Sequence, residues 1–178
     1  MAGVLKSFQF PQDFYADDVR DIVGTCISRY GEQEWKVITL TNEIHGHLGI
    51  YSTLGAKMGL RAKELLQAEG HVSVVSYAGA IPPVSCFNDG LQVSTGASLG
   101  HGLIRISEDP LKRPEAVFTC GEKSIRLALK PEYDAIIRRD IEEGVALYGH
   151  SPSYWQYVRS LALKYWRDWD RKEIFTEL

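Results

Sequence analysis

The sequence predicts a single α+β domain in which an antiparallel β-sheet packs against helices. Strand-like runs gather in the middle of the chain, and segments with helical spacing lie on both sides of them. Three strand-like runs between Leu103 and Leu129, separated by turns at residues 108–110 and 121–123, favour antiparallel pairing. The 178 residues suit one hydrophobic core, which we place at about residues 35–130, with a helical extension at about 131–170.

Three segments with regular apolar spacing organise the first part of the chain. Apolar residues recur at helical spacing in residues 19–27 and again in residues 51–69. In the second segment, Gly55 and Gly59 would let another element approach closely. Between these helices, apolar and polar residues alternate at residues 35–39, which predicts a strand.

The last part of the chain is predicted to be helical and rich in aromatic residues. One helix starts at Pro131 and another at Pro152, because proline is favoured at the first helical position. The second of these, an extra C-terminal aromatic helix, carries Trp155, Trp166 and Trp169. Core packing is one interpretation, but a helix that is apolar over so much of its circumference also suits a pocket lid or a dimer seam. Our hypothesis is a homodimer.

Composition excludes several classes of function. The net charge is −3, and Lys and Arg form no basic cluster, so we expect no nucleic-acid partner. No apolar run approaches the roughly 20 residues that span a bilayer, so we expect no membrane insertion. Residues 1–18 lack the apolar segment of a secretion signal. Three widely spaced cysteines make a poor disulfide framework, which favours a cytoplasmic protein.

The first cluster of residues that could bind a metal or take part in catalysis is His45-Gly46-His47. On an extended backbone, residues two apart share one face, so both imidazoles could bind one metal ion. The helix that follows would aim its N-terminal amides at this turn, where they attract anions. The alternative is a loop with two histidines that are satisfied by ordinary hydrogen bonds.

The second cluster contains Cys86, Asp89 and His101. Cys86 could supply a thiolate ligand, and Asp89 would share its helix face three residues later. A buried, inert cysteine with a capping aspartate is an alternative, and a nucleophilic cysteine is another. His101 lies between two glycines and projects either into a pocket or into solvent.

Both clusters resemble motifs of the FmdE family, which takes its name from formylmethanofuran dehydrogenase. The family's first motif is roughly His-Gly-His-Leu-Cys-Pro-Gly, and it matches, without a gap, His45-Gly46-His47-Leu48-Gly49-Ile50-Tyr51. Its second motif begins Cys-x-x-Asp, and it matches Cys86, Asp89, Gln92, Thr95 and Gly96. Two motifs in register make a specific signal, which covers about residues 43–129.

The resemblance implies an α+β core, a dimer and a divalent metal, usually zinc, near His45, His47 and Cys86. Gly49 stands where the family has a motif cysteine, and Ala97 replaces a second one. These departures shift the ligands from sulfur toward nitrogen and oxygen, which zinc, iron, nickel or copper all tolerate. The chain is thus expected to be a variant without two motif cysteines and without the C-terminal zinc finger of some members.

Two kinds of function remain open at this point. In the first, the metal lies beside a small anionic or cofactor-like ligand that touches Gly46, Gly49 and Tyr51. If such a protein is an enzyme, the metal polarises a carbonyl or activates water, and Asp89 or His101 moves protons. In the second, the chain is a non-catalytic metal or cofactor carrier, or an accessory subunit of a molybdenum- or tungsten-type oxidoreductase.

Overall fold

The structure is a computed structural model that describes residues 10–149 and 151–178. Half of the segment considered for a secretion signal, residues 1–9, therefore lies outside the described residues. The helices are α1 (Asp17–Tyr30), α2 (Glu32–His45), α3 (Ile50–Leu66), α4 (Phe87–Thr95), α5 (Pro131–Tyr148) and α6 (Pro152–Asp168). The strands are β1 (Ser73–Ser76), β2 (Ile104–Ile106), β3 (Glu115–Cys120), β4 (Lys123–Leu129) and β5 (Phe175–Glu177).

The five strands form one sheet in the order β2-β1-β3-β4-β5. Strands β3 and β4 form the antiparallel hairpin that the sequence predicts, and β1 and β5 pair antiparallel with β3 and β4, respectively. The first of the three predicted runs, β2, does not join this hairpin, because it pairs in parallel with β1. A parallel pair needs a crossover connection, and α4 lies in the chain between these two strands. The predicted α+β class is confirmed, but the sheet is mixed rather than wholly antiparallel.

The strand predicted at residues 35–39 is wrong, because this segment lies within α2. The buried residues of α2 recur at helical spacing: Glu34, Trp35, Val37, Ile38, Thr41 and Asn42. Five alternating residues are too few to distinguish a strand from the buried stripe of a helix. The correction matters for the site, because it places His45 in the last turn of a helix.

Helix α3 runs through the centre of the core, and residues 52–60 are all buried. Its close approach to α4 depends on glycine in both helices. A Cβ atom on Gly55 would lie 2.0 Å from the carbonyl oxygen of Phe87, and one on Gly90 would lie 2.2 Å from that of Ser52. The close contact fixes α4, which carries Asp89, against the helices that precede it.

We expect Gly55→Ala to destabilise the fold by about 1–3 kcal/mol, because the new methyl group must push two backbones apart. The matched control is Gly24→Ala in α1, where a Cβ atom meets nothing within 4 Å. That substitution should stabilise the protein by about 0.5–1 kcal/mol, since alanine is the better helix former. Urea unfolding of both variants measures the difference, and equal stabilities would contradict the packing described.

The C-terminal helices belong to the same hydrophobic core as the rest of the described chain. Ile137 of α5 and Leu161 of α6 are buried in it, and β5 pairs with β4 at the edge of the sheet. Tyr165 and Trp166 are buried, whereas the side chain of Trp155 is 61% exposed. Core packing therefore accounts for much of the aromatic character of α6. Among the described residues, no helix combines the length and apolar character that a membrane span requires.

Candidate metal centre

The two histidines of the first cluster lie side by side, with ring centroids 4.4 Å apart and ring planes tilted by 42°. His45 is the last residue of α2, and Gly46 ends the helix in a left-handed conformation with φ of 83°. Glycine adopts this conformation without steric cost, and it turns His47 back beside His45. The predicted juxtaposition is present, but a helix terminus produces it instead of an extended backbone.

Asp89 orients the His45 ring. Nδ1 of His45 lies 2.7 Å from Oδ2 of Asp89, and the His45 side chain is only 10% exposed. In the neutral ring whose Nδ1–H donates to the carboxylate, the free lone pair is on Nε2. That Nε2 atom is buried and has no hydrogen-bond partner within the described part of the chain. Metal-binding histidines are commonly held in this way, with one ring nitrogen on a carboxylate and the other on the metal.

Gly49 lies beside this unpartnered nitrogen of His45. A Cβ atom at Gly49 would lie 3.3 Å from Nε2 of His45. The position at which the family motif carries cysteine thus faces the nitrogen directly. The start of α3 is also occupied, because Oδ1 of Asn42 accepts hydrogen bonds from the Gly49 amide at 3.0 Å and the Ser52 hydroxyl at 2.8 Å. Asn42 therefore takes up part of the hydrogen-bonding capacity predicted for an anion.

His47 is exposed overall, and its ring lies beside that of His45. Burial, and then the neighbouring His45, lower the pKa of His47 below its usual value of 6.5. The neutral imidazole that results is the form that binds metals.

We expect an NMR titration of the metal-free protein to give His47 a midpoint below 6.5. Since the pKa falls on folding, the unfolded chain binds more protons between the folded midpoint and 6.5. Stability should therefore rise with pH through that window, and the charged ring should be unfavourable below it. His45→Gln should move the His47 midpoint back toward 6.5. A His47 midpoint above 6.5 would show that the ring is stabilised as a cation.

Cys86 is the third metal ligand that the sequence predicts. Among the described residues, no group of three or more His, Cys, Asp or Glu is placed to hold a metal ion. Cys86 is half-buried immediately before α4, and burial, followed by the charge of Asp89, raises the pKa of its thiol. This environment disfavours a free thiolate, which argues against the nucleophilic alternative. The role of Cys86 as a metal ligand stays a prediction.

The remaining predicted site residues lie in three different surroundings. Gly46 lines a cleft beside His47. Tyr51 faces α5, in a depression that it shares with Ile137 and Arg138, and burial raises its pKa to about 12. His101 is exposed, and its Nδ1 lies 3.3 Å from the carbonyl oxygen of Gly96. Their predicted roles in ligand binding and proton transfer remain predictions.

The cleft beside His47 was not anticipated from the sequence. It has a volume of about 350 Å³, within the usual range for small-molecule sites. Its walls come from the segment before α1, from the end of α2 and from α6, and they include Phe14, Tyr15, Thr39, Glu43, Arg159 and Trp166. These residues are far apart in the chain, so no local pattern could reveal that they meet. The surplus of aromatic residues in α6 was the only signal in the sequence.

A family model described as "FmdE, Molybdenum formylmethanofuran dehydrogenase operon" matches residues 44–176. The chain belongs to the FmdE family. This match confirms the resemblance carried by the two motifs. It also extends it, because the motifs suggested a limit near residue 129, whereas the FmdE match includes α5, α6 and most of β5. No curated protein matches the chain significantly.

Proposed function

We propose that this FmdE-family protein binds one divalent transition metal through Nε2 of His45 and the imidazole of His47. The observation that carries the proposal is the buried, unpartnered Nε2 of His45, whose opposite ring nitrogen is held by Asp89. A buried polar atom without a partner is costly in a folded protein, and a bound cation would supply the partner. Zinc is the first candidate, and iron, nickel or copper also accept imidazole ligands.

The donor set fits an open site better than a structural one. Structural zinc normally has four protein ligands, whereas catalytic and ligand-binding zinc keeps a position free. The described residues offer two imidazoles, so water, a small anionic or cofactor-like ligand, or a second copy of the chain would supply the rest. A metal held there would act as a Lewis acid on a carbonyl or on bound water. Asp89 would position His45 in this arrangement.

A graded series at Asp89 tests the role of this carboxylate. Asp89→Ala should weaken zinc binding about 10–100-fold, because the His45 ring loses its orientation and basicity. Asp89→Asn should have a smaller effect, since its amide oxygen can still accept from Nδ1. The control is Asp21→Asn, which makes the same substitution at an exposed carboxylate on α1. Titration against a fluorescent chelator gives the affinities, and wild-type affinity in Asp89→Ala would contradict the proposal.

A homodimer is part of the proposal because a second copy could supply the missing ligands. Two large apolar side chains are exposed near the site: Ile44, which precedes His45 in the chain, and Trp155, which lines a depression together with His47. Light scattering should give a mass about twice the 20.0 kDa of one chain. A monomer at all protein concentrations would remove the second copy as a ligand donor, and Trp155→Glu provides the matched interface variant.

The FmdE match favours a second candidate, an accessory subunit or metal carrier of a molybdenum- or tungsten-type oxidoreductase. The family description names an operon of such an enzyme, and this observation supports the alternative independently of the histidines. A carrier must release its metal, so rapid transfer of zinc to a competing protein site would favour it. Retention of zinc during turnover of a small substrate would favour the enzyme.

A further inference from the structure

Two of the residues that line the cleft beside His47 each carry a buried hydrogen-bond donor that has no partner among the described residues. The indole Nε1 of Trp166 is one of them, although this residue is only 2% exposed, and the hydroxyl of Thr39 is the other. The hydroxyl of Thr41, two residues further along α2, donates to the carbonyl oxygen of Val37 at 2.8 Å. Within the described part of the chain, the Thr39 hydroxyl makes no such bond.

Three of the residues that line the cleft have aromatic rings of Phe, Tyr or Trp, and two of these rings belong to an aromatic cluster around the buried Trp35. The Trp166 ring stacks on Trp35 with centroids 4.5 Å apart, and Tyr15 packs edge-on against Trp35 at 5.4 Å. The Trp35 indole already donates to the Tyr15 hydroxyl at 3.1 Å, so it offers no donor to a ligand. Phe14 adds another ring at the rim, where its side chain is 70% exposed. A ligand that carries a ring can pack against such aromatic side chains.

The charges around the cleft disfavour an anion. Arg159 lines the cleft, but its guanidinium is engaged by both carboxylate oxygens of Asp18, at 2.6 and 2.8 Å. Glu43 contributes an exposed carboxylate to the lining. A carboxylate ligand would therefore meet the negative charge of Glu43, and the arginine among the described lining residues is already paired with Asp18.

We propose that this cleft binds an uncharged, planar ring compound whose carbonyl oxygen accepts hydrogen bonds from the Trp166 indole and the Thr39 hydroxyl. The binding energy comes from contact with the aromatic lining residues and from pairing of donors that otherwise have no partner. The ligand would lie next to His47, but its recognition does not require a metal. Ligand binding in the cleft can therefore be tested in metal-free protein, independently of the metal proposal.

The test uses ¹⁵N-labelled, metal-free protein and three uncharged planar probes: nicotinamide, 2-pyridone and benzamide. The Trp166 indole resonance, assigned by its absence in Trp166→Phe, should shift saturably with at least one probe. Nicotinate, the anionic counterpart, and cyclohexanecarboxamide, which is not planar, should bind more weakly. No movement of this resonance with any of the three probes at their solubility limits would overturn the proposal, as would equal binding of nicotinate.

Two variants then test the donors. Trp166→Phe keeps an aromatic ring, and Thr39→Val keeps the side-chain shape, but each removes one donor. Each should weaken probe binding about two- to tenfold, which corresponds to one net hydrogen bond. The controls Trp155→Phe and Thr25→Val change exposed residues outside this cleft and should bind as the wild type does. Unchanged affinity in Thr39→Val and in folded Trp166→Phe would overturn the proposal.

Discussion

His45→Ala is expected to remove nearly all stoichiometric zinc from the purified protein. The variant loses the imidazole whose Nε2 is buried without a partner, and it leaves the site with the imidazole of His47 alone among the described histidines. A single exposed imidazole binds zinc weakly, because protein sites hold the ion with three or four ligands together. Elemental analysis of protein purified without a histidine tag measures the loss, and zinc titration gives the accompanying fall in affinity.

The controls for this substitution are other histidines of the same chain. His71 and His101 are both exposed in the described structure, and His71→Ala and His101→Ala should leave the zinc content unchanged. Circular dichroism establishes that each variant is folded. Cys86→Ala distinguishes a site made of His45 and His47 from one that also includes Cys86. If the thiolate is a ligand, its loss should lower the zinc content as well. Full zinc content in folded His45→Ala would show that this ring is not a ligand.

Glu34→Ala is expected to cost about 3–5 kcal/mol of folding free energy, a large share of the roughly 5–15 kcal/mol typical of a domain. Glu34 is 1% exposed and accepts from Lys57 at 2.6 Å and from Arg171 at 2.7 Å. Lys57 is fully buried, and burial lowers its pKa even beside this carboxylate. Removal of Glu34 leaves two cations close together, one of them inside the core. Urea or thermal unfolding measures the cost.

A double variant separates the ion pair from the packing around it. Glu34→Leu combined with Lys57→Met replaces both charges by apolar groups of similar size. It should recover much of the lost stability, because an uncompensated buried charge costs more than an apolar pair. Arg171 keeps its second partner, Glu64, at 2.6 Å in this variant. If Glu34→Ala unfolds at the wild-type urea concentration, the buried network does not contribute as described.

Local sequence patterns identified much of the fold. The helices at α1, α3, α5 and α6 follow from apolar spacing and from proline at the helix starts, which are local properties. The parallel pairing of β1 with β2 does not, because it depends on how α4 crosses the sheet. The segment at residues 35–39 shows the limit most clearly. Its side chains fit either a strand or a helix, and packing against α3 selects the helix.

The site was only partly predictable, because sequence patterns reveal residues that are close in the chain and miss those that meet through packing. His45 and His47 are close in the chain, so their pairing could be expected, although the helix terminus that produces it could not. The contact of His45 with Asp89 spans 44 residues. The contact of α3 with α4 through Gly55 and Gly90 holds Asp89 in place for it. The cleft formed by Thr39 and Trp166 required three distant segments to meet, which no motif encodes.

X-ray absorption spectroscopy of the zinc-loaded protein tests the central claim most directly, because it reports the ligand atoms around the metal. The proposed site predicts two imidazole nitrogens at about 2.0–2.1 Å, with oxygen or nitrogen atoms, rather than sulfur, in the other positions. The imidazole signal should disappear in His45→Ala and persist in His101→Ala. A spectrum without imidazole scattering, or one dominated by sulfur at about 2.3 Å, would contradict a metal centre built on His45 and His47.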